Sequence, residues 1–76
     1  MKPYQNLNGN SNVQSFQIYG DGIKVKFNNG DTILYLYEKS GEEVVEKMKT
    51  LAVTGKGLGT YIENAANGLG DKIPKS

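Results

Sequence analysis

The side chains able to do chemistry in this chain are mainly tyrosine and lysine. Its 76 residues include five tyrosines and nine lysines, with no cysteine, no histidine and no arginine. Disulfides are therefore excluded, and zinc, haem and iron-sulfur sites lose their usual ligands, so neither a metal nor a cofactor is expected. A nucleophile would have to be Ser or Lys activated by a carboxylate. The nearest acids, Glu38, Glu42, Glu43 and Glu46, lie on or beside an amphipathic segment, where they read as a solvated face. No catalytic residue is assigned, and the expected chemistry is binding rather than catalysis.

Two groupings could bind. The first is Tyr19, Lys24, Lys26, Ile33, Tyr35 and Tyr37, spread over three short alternating runs. The second is the loop Gly55-Lys56-Gly57-Leu58-Gly59-Thr60, whose glycines could let backbone amides face an anion, with Lys56 and Thr60 as contacts. A Walker loop follows a buried strand and ends in Lys-Ser/Thr. Here the loop follows a helical pattern and lacks that ending, so a helix stop followed by a turn explains the same glycines.

The elements that must position these residues follow from periodicity and turn chemistry. The runs at 13 to 19, 23 to 27 and 32 to 37 alternate as strands do, and Asp21-Gly22 and Asn29-Gly30 between them favour type I′ hairpin turns. Two-residue loops pair Tyr19 with Lys24 and Phe16 with Phe27 in the first hairpin. In the second they pair Lys24 with Tyr35 and Phe27 with Thr32. One face then collects Phe16, Ile18, Ile23, Val25, Phe27, Leu34 and Leu36 as the core side. The other collects Ser15, Gln17, Tyr19, Lys24, Lys26, Ile33, Tyr35 and Tyr37. A three-residue second loop would slip the register by one and turn Tyr35 and Tyr37 inward beside Ile23 and Val25. It would break the Asn-Gly turn and set Leu34 and Leu36 beside the lysines, so the two-residue loop is the reading adopted.

Ser40-Gly41-Glu42-Glu43 has the form of a capping box, and Val44, Val45, Met48, Leu51 and Ala52 recur behind it at helical spacing until Gly55. A second box-like start, Thr60-Tyr61-Ile62-Glu63, opens a short helix with Ile62, Ala65, Ala66 and Leu69 to pack and Gly68 as its stop. The expected fold is α+β: a three-stranded antiparallel meander packed on one face by two short helices, in the order β-β-β-α-α. Residues 13 to 69 form its single domain, 1 to 12 a flexible N-terminal arm and 70 to 76 a C-terminal tail. At this length the core is small.

The order of features resembles the KTSC domain, a small bacterial domain found alone or at the C-terminus of some lysyl-tRNA synthetases. A Tyr-x-Tyr is matched by Tyr35-Leu36-Tyr37, and the preceding Phe-x-x-Gly turn by Phe27-Asn28-Asn29-Gly30. Ala52, Gly55 and Tyr61-Ile62 stand where that family has a small residue, a glycine and an aromatic before a final short helix. The similarity covers residues 13 to 66. It departs where the family has a valine-proline step before the first helix and this chain has Lys39-Ser40-Gly41, and again at the glycine-rich GKGLG link. The resemblance implies the fold, with RNA binding only as a suggestion.

Partners follow from charge. The net charge is +1, from nine lysines against eight acids, with the signs interspersed and no basic patch. Absence of arginine removes the bidentate fork used for phosphate and guanine. A tyrosine and lysine sheet face can anchor a protein partner, stack bases, or simply cover the sheet with lysine stems over rings. A protein partner, of adaptor or inhibitor type, ranks first. Weak RNA or single-stranded nucleic-acid binding by the same face ranks second, and a small ligand at the glycine loop third. Self-association as a homodimer through the outer face or an edge strand is also open. The N-terminal MKPYQNLNGNSN has no signal-peptide pattern and no run approaches membrane-spanning length, so a cytoplasmic protein without membrane contact is expected.

Overall fold

The alternating runs do become strands, but within a wider sheet. The computed structural model describes residues 1–9 and 11–74 and is α+β, with five antiparallel strands in the order β1-β2-β3-β4-β5 and three helices. The expected meander is its centre: β2 (Val13–Tyr19), β3 (Gly22–Phe27) and β4 (Thr32–Leu36). Two short edge strands extend it, β1 (Lys2–Pro3) and β5 (Asp71–Ile73). Asn10, Lys75 and Ser76, which belong to the expected arm and tail, lie outside the described residues.

The flexible arm is thereby corrected. Lys2 pairs with Phe16 and Pro3 with Ser15, and the Tyr4 N–H donates to the Gln14 carbonyl at 3.0 Å. Tyr4 is only 6% exposed, and its hydroxyl accepts a hydrogen bond from the Leu58 N–H at 3.2 Å. A single aromatic ring with a polar tip thus ties a polar segment into the core. At the other end of the chain, Lys72 reaches Asp31 at 3.3 Å and Lys39 pairs with Asp71, fastening β5 to its neighbours. Both are exposed ion pairs that steer more than they stabilise.

Both hairpins depart from the expected register, with different consequences. In the first, Tyr19 lies opposite Gly22, Ile18 opposite Ile23 and Phe16 opposite Val25, with an irregularity between Val13 and Ser15. The loop is Gly20-Asp21 rather than Asp21-Gly22, and neither loop residue has the positive φ of a type I′ turn. This is a shift of two positions, so Ser15 to Tyr19 and the side chains of β3 keep their expected faces, although Ile18 is exposed and the irregularity turns Val13 into the core. In the second, Lys26 lies opposite Thr32, Lys24 opposite Leu34 and Ile23 opposite Tyr35. Here the shift is one position, and β4 turns over completely.

The cause lies in the turn. Phe27 donates to the Asp31 carbonyl at 2.8 Å and accepts from the Gly30 N–H at 3.0 Å, enclosing a three-residue loop with Gly30 at φ 91°. Asn29 Oδ1 accepts from the Asp31 N–H at 2.9 Å. A turn closed by a left-handed glycine is the usual three-residue hairpin, so Asn28-Asn29-Gly30 satisfies it as readily as Asn29-Gly30 satisfies a two-residue one.

The helices are α1 (Tyr37–Ser40), α2 (Glu42–Thr54) and α3 (Leu58–Tyr61), the last running into a π-helical turn at Ile62–Ala66. The expected capping box does not form. Gly41 is the cap of α2, without a side-chain bond, and the Ser40 hydroxyl donates instead to the Leu69 carbonyl at 2.7 Å. Thr60 likewise sits inside α3 rather than capping it. Gly55 ends α2 as expected, with its N–H on the Leu51 carbonyl. From α2, Val45, Met48 and Ala52 are buried with Ile23, Val25 and Tyr35 of the sheet and Leu58 of α3. Among the described residues no helix is long and apolar enough to cross a membrane.

Candidate functional site

Strand pairing decides which residues share the sheet face opposite the helices. Across it run the rows Ser15, Lys26, Thr32, Ile73 and Gln17, Lys24, Leu34, Asp71, with Tyr19 and Leu36 flanking Gly22 beyond them. Tyr19, Lys24 and Lys26 thus occupy the expected face, and Lys24 Nζ stands 5.7 Å from the centre of the Tyr19 ring. A shallow hollow of about 260 Å³ is lined by Tyr19, Asp21, Lys24, Leu34, Leu36 and Ile73. A neighbouring hollow carries Lys24, Lys26, Thr32 and Ile73 toward Pro74.

Ile33, Tyr35 and Tyr37 are not part of this face, a correction to the expected constellation. Ile33 packs against the core and Tyr35 is 2% exposed, where burial pushes its phenol above the usual tyrosine range. Tyr37 has left the sheet and opens α1. Its N–H donates to the Asp21 carbonyl at 2.9 Å, and its hydroxyl donates to the Glu46 carboxylate. Leu34, Leu36 and Ile73 take their place on the open face. The leucines were visible in the sequence as the consequence of a three-residue loop, whereas a lone isoleucine in a polar tail carried no signal.

Tyr37, Glu46 and Lys49 form a small polar cluster on the surface. Lys49 Nζ is 2.9 Å from the Glu46 carboxylate and lies over the Tyr37 ring at 5.1 Å. The hydrogen bond from Tyr37, and then that from Lys49, holds the Glu46 carboxyl below its ordinary value. The bond to Glu46 in turn raises both Tyr37 and Lys49. A depressed carboxyl contributes stability above its unfolded pKa, and this is lost as pH falls through the folded value. In Tyr37→Phe the Glu46 titration midpoint should move up toward the ordinary carboxylate range, read by carboxyl-carbon NMR. An unmoved midpoint would show that Lys49 alone sets it.

A second site lies at the glycine loop. A polar hollow of about 220 Å³ is lined by Tyr4, Asn6, Asn8, Ser11, Asn12, Lys56, Gly57, Gly59, Thr60 and Glu63. It brings together Lys56 and Thr60, the two expected loop contacts, and adds asparagines from a segment about fifty residues away in sequence. The approach is close: a Cβ on Gly59 would stand 2.9 Å from Ser11 Oγ and 3.0 Å from Asn12 Oδ1. Asn6, Asn8 and Asn12 were not legible as site residues, because only the docking of the N-terminal segment brings them there, and Glu63 follows Thr60 on the same helical stretch. Comparison of the chain with protein-family models, with curated proteins and with solved structures gives no match.

Proposed function

We propose that this chain is a small non-enzymatic binding module whose open sheet face docks a protein partner. The observation that carries this is the placement of Leu34 and Leu36 on the solvent side of an antiparallel sheet, around a hollow completed by Tyr19 and Ile73. Solvent faces of such sheets are ordinarily polar. Aliphatic side chains beside a tyrosine instead make the kind of anchor site that protein contacts use. Lys24 and Asp21 both line it, while Lys26 lies in the neighbouring hollow, so the face carries both signs and a partner is held mainly by its apolar side chain.

RNA or single-stranded nucleic acid, which the KTSC resemblance suggests, is the second reading. The slipped register weakens it, because Tyr19 is the single aromatic left on the face for base stacking. Two lysines would neutralise about two phosphates, giving a salt slope of about −2 at most.

The test compares wild type with Leu34→Lys/Leu36→Lys in capture from the source cell, after thermal melts confirm that both fold. The expected result is a stoichiometric protein, resistant to nuclease, that wild type retains and the double variant loses. Identical capture by both proteins, or capture abolished by nuclease at low salt, would overturn the reading.

A further inference from the structure

We propose that the polar hollow between the asparagine-rich segment before β2 and the glycine loop after α2 binds a small neutral polyhydroxylated molecule of monosaccharide size. Its walls are held by contacts that engage Tyr4, Asn6 and Ser11 and leave other lining side chains without a partner. Leu7 N–H donates to the Gly55 carbonyl at 2.7 Å, and Leu58 N–H to the Tyr4 hydroxyl at 3.2 Å. Ser11 N–H donates to Asn6 Oδ1 at 3.1 Å, with Asn6 at a φ of 53°, in the left-handed region that asparagine tolerates. Gly59 packs against Ser11 and Asn12 so closely that a methyl group there would have to push their side chains aside.

The groups left lining the hollow are the exposed side chains of Asn8, Asn12, Lys56, Thr60 and Glu63. Among the described residues none of them makes a side-chain hydrogen bond or an ion pair within the chain. Their chemistry selects a ligand by elimination. A cation would meet Lys56 and an anion would meet Glu63, so neither sign of net charge is favoured. An apolar ligand would find one aromatic wall, Tyr4, and polar groups elsewhere. Amides and hydroxyls both donate and accept, as do the hydroxyls of a sugar, and Lys56 and Glu63 add one donor and one acceptor at the rim. About 220 Å³ is smaller than the pockets of drug-sized ligands, which limits the occupant to a single ring. With walls partly open to water, binding belongs in the millimolar range.

The full chain is titrated with glucose, galactose, N-acetylglucosamine and myo-inositol to about 100 mM while its amide NMR spectrum is followed. At least one should give saturable shifts at the Gly57, Gly59 and Thr60 backbone amides and at the side-chain amides of Asn8 and Asn12. Amides of the open sheet face, such as Lys24 and Leu34, should stay in place, which separates this site from the protein-docking one. Thr60→Ala and Glu63→Gln, both exposed positions, should each weaken binding by about 3- to 10-fold with unchanged melting. Absence of saturable shifts at these amides with all four compounds would overturn the proposal. So would saturation only by glycine, a zwitterion bridging Lys56 and Glu63, or only by inorganic phosphate.

Discussion

Tyr35→Ala is expected to remove most of the stability of this protein, while Leu34→Ala, one position away, leaves it folded. Tyr35 is 2% exposed and lies opposite Ile23 on the core side of the sheet. Truncating a buried aromatic costs about 3–5 kcal/mol, since the transfer energy is lost and a cavity remains. A chain of 76 residues has roughly 4–11 kcal/mol in total at the usual stability per residue, so the loss is a large share of it. Leu34 is half-buried on the open face, and its truncation should cost about 1 kcal/mol. Urea denaturation followed by circular dichroism measures both. If Leu34→Ala proves the more damaging, the two-residue loop and its register are right, and the open face is the tyrosine one after all.

Tyr4 gives the second large effect, in a segment whose composition reads as an arm. Its ring belongs to the buried cluster and its hydroxyl is the partner of the Leu58 N–H, on a residue with no exposed surface. Tyr4→Ala should cost about 3–5 kcal/mol from lost burial alone. Tyr4→Phe keeps the ring and leaves the Leu58 N–H without its partner, costing about 1–3 kcal/mol. Hydrogen exchange separates the two contributions. In Tyr4→Phe the Leu58 amide should lose protection selectively, and in Tyr4→Ala the loss should spread to Gly55 and the glycine loop that the first strand clasps. If both variants match wild type in urea, the segment does not belong to the fold.

The open face and the polar hollow draw on different parts of the chain, which bears on how each could be read in advance. Tyr19, Lys24 and Lys26 sit on strands whose alternation alone assigns a side. Lys56 and Thr60 were visible through the glycines around them. Nothing local marked Asn8, Asn12 or Glu63, since exposed polar side chains near turns are ordinary. Their convergence needs Leu7 on Gly55 and Tyr4 on Leu58, contacts between residues far apart in sequence.

Local physics in the sequence determined the α+β class, the central meander, the inward faces of β2 and β3, the buried stripe Val45, Met48 and Ala52, and the stop at Gly55. These follow from periodicities and a cap that act within a few residues. The first hairpin tolerated a wrong register because a shift of two positions preserves the alternation of faces. The second did not, because Thr32 to Tyr37 is uncharged on both sides and either face can be buried. Tertiary packing made that choice. Gly70 lies against the Tyr35 ring so closely that an added Cβ would come within 2.6 Å of its edge, and the strand that follows covers β4 in the register that keeps Tyr35 inward. The ends of the chain were decided in the same way. A two-residue and a three-residue strand are too short to hold their own pattern, and they exist because Tyr4 fills the core and because β5 pairs with the edge that β4 would otherwise leave open.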